Sequence, residues 1–164
     1  MLAQDLIYVS FFRNLTSEQL AQIVPLIEPC RYSKDDFIFE QGELAGYLFI
    51  VVKGEVNIRY KAYDGPEMSV ARVGPGGIFG WSAALGREQY TSSAICLEDS
   101  QIFRINGRSM RRMCDENPET GVVLLERLAM AISGREMHKQ NQVVSMLSQI
   151  ADIHEGSFKE GGAR

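Results

Sequence analysis

The chain has 164 residues, 45% of them apolar and 23% charged, the balance of an ordinary globular protein with room for one sizeable core. Its 17 basic and 21 acidic residues give a net charge of −4, which offers no general attraction to nucleic acid. No apolar run approaches the ~20 residues that span a bilayer, the opening MLAQDLIYVSFF lacks a basic region and a cleavage site, and the three scattered cysteines argue against a disulfide framework, so a cytoplasmic chain is expected.

The first segment, 1–30, is expected to be helical. Leu2, Leu6 and Val9 recur at roughly helical spacing. Thr16 is placed to cap a second helix, with Gln19 completing a capping box. Leu20, Ile23, Val24 and Ile27 form its apolar stripe, and Pro25 and Pro29 disrupt and end it.

From 31 to 105 the texture changes to short β-rich runs punctuated by glycine. YLFIVVKG is a buried strand entering a turn. EVNIRYKAY alternates, with Val56, Ile58 and Tyr60 on one face and Asn57, Arg59 and Lys61 on the other. YDGPE is a turn in which Gly65 supplies a positive φ, and EMSVARV, YTSSAICL and SQIFRI add strands. Many short strands with regular turns predict a sandwich, jelly roll or small barrel.

Helical patterning returns over 106–153. Asn106 caps GRSMRRMCDE, which stops before Pro118. A long helix follows, with Leu124, Leu125, Leu128, Met130 and Ile132 on its inner face. Residues 154–164, HEGSFKEGGAR, read as a disordered tail. The fold class is mainly β with flanking helices: an antiparallel β-roll of the jelly-roll type with N-terminal helices and a long C-terminal helix.

This order of elements resembles the cyclic-nucleotide-binding domain family from about Phe11 to Glu136. The resemblance rests on FFRNLTSEQLAQI, on DDFIFEQGELAGYLFIVVKGEVNI with Ile38, Gly42, Phe49, Ile50, Gly54 and Val56, on VARVGPGGIFG, and on SAICLEDSQIFRI followed by NGRSMRRMCDENP. It implies a ligand-responsive regulatory module without catalytic activity, whose candidate ligand is cyclic AMP or cyclic GMP. In responsive members, filling the pocket reorders the phosphate cassette and repositions the long helix.

The cassette here is FGWSAALGREQYTSSA, residues 79–94. Members that bind cyclic nucleotides carry a Glu two residues after the Phe, to accept from the ribose 2′-OH. This chain has Trp81 there, whose indole only donates. They also carry an Arg for the cyclic phosphate, and the aligned position is Tyr90. Each lost charge-assisted bond costs about 1.5–3 kcal/mol, so cyclic nucleotides are expected to bind weakly. Compensation is available from the backbone N–H groups of Gly80, Trp81, Ser82 and Ala83, from the hydroxyls of Thr91, Ser92 and Ser93, and from Arg87. Trp81 either stacks on a ligand or fills the space one would take. Tyr90 is either a core aromatic or a ligand donor, and Arg87 either a solvated charge or a cation that swings inward. Arg135 falls near where the family's long helix touches the base, or on a solvated face.

Other chemistry finds little support. The two histidines, His138 and His154, lie outside the β region, which argues against a cupin-type metal site, a haem ligand or a histidine base there. Residues beyond Ile153 are too few for a winged helix-turn-helix, so no DNA-binding domain is expected in this chain. Arg108, Arg111 and Arg112 form a solvated face or meet an acidic partner. Met130, Met137, Val144 and Ala151 recur every seven residues, and they predict a homodimer through about 122–150. The alternative to a ligand sensor is the same module with a degenerate pocket, used only for dimerisation.

Overall fold

The structure, a computed structural model, describes residues 10–133. The chain divides into two compact units, Met1–Ala131 and Ile132–Arg164, and the described residues belong almost wholly to the first. The expectations for the first nine residues, for Arg135 and the two histidines, for the seam beyond Met130 and for the tail at 154–164 lie outside the described residues.

A 3-10 turn at Ser10–Phe12 leads to α1, Ser17–Ile23. The capping box forms as expected: the Gln19 backbone N–H donates to Thr16 Oγ1 at 3.1 Å, and the Thr16 backbone N–H donates to Gln19 Oε1 at 3.0 Å. A second 3-10 turn, Val24–Leu26, then delivers the chain into a strand. Here the expectation fails. Ile27 and Pro29 do not finish a helix but lie in β1, Ile27–Tyr32, four residues ahead of the predicted start of the roll. β1 is an edge of its sheet, where a proline without an N–H is tolerated in the ladder.

Seven further strands follow: β2 (Phe37–Phe39), β3 (Tyr47–Lys53), β4 (Val56–Lys61), β5 (Glu67–Val73), β6 (Ile78–Phe79), β7 (Ser93–Cys96) and β8 (Ser100–Asn106). They form two four-stranded antiparallel sheets, β1-β8-β3-β6 and β2-β7-β4-β5, which is the predicted β-roll. The β4–β5 turn closes through the Gly65 N–H on the Ala62 carbonyl, 3.2 Å, and Gly65 is not among the residues of positive φ, contrary to expectation.

The roll encloses Phe39, Phe49, Val51, Val56, Ile58, Phe79, Tyr90, Cys96 and Ile102. Alternation along β3 and β8 turns Leu48, Ile50, Phe103 and Ile105 to the other face of their sheet, where they are also buried. That face is covered from the helical side: α2, Gly107–Glu116, approaches β8, and α1 approaches α2. Asn106 caps α2, its Oδ1 accepting from the Ser109 N–H at 3.0 Å. A third helix, α3, runs over 118–133. Its buried face carries Leu124 and Leu128, both 1% exposed, each contributing about 1.5–3 kcal/mol by burial. Leu125 and Met130, placed on the inner face by the sequence, are instead exposed at 51% and 75%. They lie away from the buried face, which Thr120, Gly121, Leu124 and Leu128 form with Val123 and Arg127 half-buried beside them. Gln22 of α1 joins the helices, donating to Asn117 Oδ1 at 3.0 Å and accepting from the Thr120 hydroxyl. Among the described residues no helix is long and apolar enough to cross a membrane. All three cysteines are free thiols, Cys96 buried and the other two half-buried.

Candidate functional site

The cassette begins where β6 ends. β6 is only two residues long and pairs with Ile50 and Phe49. At Gly80 the chain turns with φ +74°, and a Cβ there would stand 2.9 Å from Phe49 Cδ2 and 3.1 Å from the Tyr47 carbonyl oxygen. Only glycine fits both the conformation and the space.

Residues 81–86 then wind through one compact turn. The Ala83 N–H reaches the Gly80 carbonyl at 3.3 Å, Leu85 reaches Trp81 at 3.0 Å, and Arg87 reaches Ser82 at 2.9 Å. Among the described residues the backbone N–H groups of Ser82 and Ala84 have no acceptor, although Ser82 is 5% and Ala84 6% exposed. Buried N–H groups are normally paired, so two without an acceptor in one turn are unusual.

The turn is fixed from behind by α2. The Gly107 N–H donates to the Gly46 carbonyl at 3.0 Å, and a Cβ on Gly107 would stand 2.3 Å from the Ala83 carbonyl oxygen. The Arg111 guanidinium donates to that same Ala83 oxygen. It therefore caps the carbonyl end of the turn, where the local dipole favours a cation. Arg111 belongs to the cassette and not merely to a solvated arginine face.

The exit strand is held by its backbone: the Tyr90 N–H donates to Glu43 at 2.9 Å, and the Gly42 N–H donates to Tyr90 at 2.9 Å. Tyr90 itself is 5% exposed and stacks on Phe39 with centroids 3.8 Å apart. Its hydroxyl donates to the Tyr47 carbonyl at 2.6 Å and accepts from the Tyr47 N–H at 3.0 Å. The phenol thus satisfies the edge of β3 where β6 has run out, standing in for a missing strand residue. Both its functions are spent inside the fold, so the expectation of Tyr90 as a ligand donor gives way to the core alternative. Burial pushes its pKa above the ordinary value, outweighing the backbone bonds that favour ionisation.

The remaining predicted residues spread around this frame. Ala83 is buried, Trp81 and Ser92 are half-buried, and Arg87 and Thr91 are exposed. Ser93 turns inward, its Oγ accepting from the Gln41 N–H at 2.8 Å. Two further residues of the roll, read as strand positions, were not among the expected site residues. Tyr60 follows Val56 and Ile58 on the inner face of β4, pairs with Met68, and stands level with Ser92 because Arg59 pairs with Ser93. Tyr60 and Met68 are both exposed, at 40% and 39%. The strict alternation of VNIRY was the available signal, since it puts an aromatic on the inner face one step beyond the closed core. The turn thus carries two backbone N–H groups without an acceptor and an exposed cation, Arg87, with Trp81 at the position where a carboxylate was sought.

The model of the cyclic nucleotide-binding domain family matches residues 29–117. A CRP-like cAMP-activated global transcriptional regulator of Mycobacterium tuberculosis is 25% identical over 118 residues, 72% of this chain and 53% of the regulator. A cGMP-dependent protein kinase of Drosophila melanogaster, isozyme 2 forms cD5/T2, is 33% identical over 89 residues, 54% of this chain and 10% of the kinase. The chain thus spans about half the length of the regulator and a small part of the kinase. A solved protein of Geobacter metallireducens GS-15, named for cyclic-nucleotide binding, superposes with a TM-score of 0.73 at 31% identity, covering 82% of this chain and 98% of that one.

Proposed function

The chain belongs to the cyclic-nucleotide-binding domain family, and on that premise we propose that it is a non-catalytic regulatory module whose cassette senses a small anionic ligand and binds cyclic AMP or cyclic GMP only weakly. The observation that carries this reading is the pair of buried, unpaired N–H groups at Ser82 and Ala84. A phosphate or carboxylate satisfies both at once, as anions do at helical turns. Arg87, Thr91 and Ser92 are the side chains at hand to complete the cage, and Trp81 with Tyr60 offers flat surface to the rest of the ligand.

Weak cyclic-nucleotide affinity follows from the two absent side chains. Trp81 accepts nothing from a ribose hydroxyl, and Tyr90 keeps its hydroxyl on Tyr47. Two lost charge-assisted bonds at about 1.5–3 kcal/mol each weaken binding by roughly two to four decades. Calorimetric titration tests this. Dissociation constants above about 10 μM for both cyclic nucleotides agree with the expected losses. A sub-micromolar constant for either would refute the reading of positions 81 and 90.

A second reading is favoured by the aromatic filling of the roll, where Phe39, Phe49, Phe79 and Tyr90 are all buried. In that reading the module pairs without a ligand. Both readings share a homodimer through α3, because Val122 and Leu125, 56% and 51% exposed and about 60° apart around the helix, present an apolar outer edge. A chain of this composition with free thiols suits the cytoplasm.

A further inference from the structure

At the far end of the roll from the cassette, β1, β8 and β3 lie side by side. Arg31 pairs with Gln101, and Gln101 pairs on its other side with Lys53. The three side chains therefore stand in one row on one face of the sheet, the two cations about 10 Å apart at their Cα atoms, within mutual reach of their long stems. Lys53 reaches this row through an irregularity. The β3–β8 register slips between Val51 and Lys53, so a bulge at Val52 brings Lys53 opposite Gln101. Gly54 follows with φ +106°, and a Cβ there would stand 2.2 Å from Ser100 Oγ, so the turn closes directly over Ser100.

These residues line an open surface groove of about 330 Å³ together with Tyr32, Ser33, Asp99 and Ser100, with Arg31, Lys53 and Gln101 exposed. Its charge is unbalanced. Among the described residues neither Arg31 nor Lys53 has an ion-pair partner; the pairs formed are Arg72–Glu55 and Arg104–Glu28. The single carboxylate of the lining, Asp99, has one oxygen occupied by the Lys34 backbone N–H at 2.9 Å. The Ser100 hydroxyl donates to the Glu98 carbonyl at 2.8 Å and so contributes no proton to the groove. Among the described residues the free donors of the lining are the Arg31 fork, the Lys53 ammonium, the Gln101 amide and the hydroxyls of Ser33 and Tyr32.

The geometry points to a second anion site here, for a phosphate-class oxyanion carried by a small molecule or by a lipid headgroup, gripped between Arg31 and Lys53 over Gln101. A planar guanidinium takes two oxygens of a tetrahedral anion while an ammonium neutralises the remaining charge. The site is independent of the cassette. Five residue steps along β8, about 17 Å, separate Gln101 from Asn106, beside which Gly107 meets Ala83.

The test is an amide chemical-shift titration of the full chain with inorganic phosphate and with glycerol 3-phosphate, against sodium chloride at matched ionic strength. Saturable shifts at residues 31–33, 53–54 and 100–101 are expected with both phosphates and not with chloride. Arg31→Gln and Lys53→Gln should each weaken them about tenfold or more, and the double variant should abolish them while leaving the shifts of Ser82 and Ala84 with cyclic AMP as in the wild type. Co-sedimentation with phosphatidic acid vesicles that is lost in the double variant assigns the lipid source, and saturable binding without co-sedimentation assigns a small phosphate. Absence of saturable shifts at these residues, shifts equal to those in chloride, or shifts that persist in the double variant overturn the proposal.

Discussion

Tyr90→Phe removes one oxygen and keeps the ring that stacks on Phe39 at 3.8 Å. The packing contribution therefore stays, and the change isolates the two hydrogen bonds to Tyr47, 2.6 Å from the phenol to the carbonyl and 3.0 Å from the N–H to the phenol. In the variant the Tyr47 N–H and C=O lose their partner on the side where β6 stops at Phe79. Leaving a buried polar group unpaired costs about 1–3 kcal/mol. Tyr47 is half-buried, so water relieves part of this cost, and the two groups together should lose about 1.5–3 kcal/mol. For a chain of this size that is a fall in melting temperature of roughly 4–10 °C. Urea denaturation should show an earlier midpoint at an unchanged slope. Tyr32→Phe, whose hydroxyl has no bond among the described residues, is the control and should change stability little. A loss below about 0.5 kcal/mol in Tyr90→Phe would refute the claim that the phenol replaces a strand residue.

Gly107→Ala should destabilise by about 1–3 kcal/mol in the same assay, because its Cβ would meet the Ala83 carbonyl oxygen at 2.3 Å and backbone must move; no loss would show that the cassette floats free of α2. Stability should also fall at high pH. Burial raises the thiols of Cys30, Cys96 and Cys114 from 9.0 and the phenols of Tyr32 and Tyr90 from 10.0. The unfolded chain then releases protons first, so stability is present below about pH 9 and declines above it, and Tyr90→Phe should flatten the part above pH 10. A melting temperature constant from pH 8 to 11 would contradict this. Val122→Asp with Leu125→Asp should convert a sedimenting dimer to a monomer with the melting temperature of an isolated chain little changed, since both positions are exposed. A wild type that sediments as a monomer at micromolar concentration removes the dimer.

The strand pattern was legible wherever alternation and glycine coincide, as in EMSVARV, whose predicted and observed limits agree at Glu67–Val73. The helix caps at Thr16 and Asn106 were legible because a cap is local chemistry. β1 was not, because Ile27 continues the helical spacing of Leu20 and Ile23, and only pairing with β8, whose partner for Ile27 is Ile105, makes it a strand. The outer face of α3 failed for a related reason: periodicity identifies an apolar helix, but which of Leu124 and Leu125 turns inward depends on what packs against it. In the site, the missing carboxylate at 81 could be read directly. The role of Tyr90 could not, since it depends on β6 ending at Phe79. Nor could that of Arg111, whose partner Ala83 lies 28 residues away in the chain.

The structure also changes how the cassette should be rebuilt. An Arg at position 90 would sacrifice the Tyr47 bonds and the Phe39 stack, whereas Thr91 is exposed and adjacent. Trp81→Glu with Thr91→Arg is therefore the rational pair, expected to raise cyclic AMP affinity about tenfold or more per restored bond. The most direct measurement of the cassette itself is an amide chemical-shift titration of the wild type with cyclic AMP. The two unpaired donors, the Ser82 and Ala84 N–H groups, should shift downfield together with one dissociation constant above about 10 μM. Saturation at sub-micromolar ligand, or binding that leaves these two amides unmoved, would contradict the account.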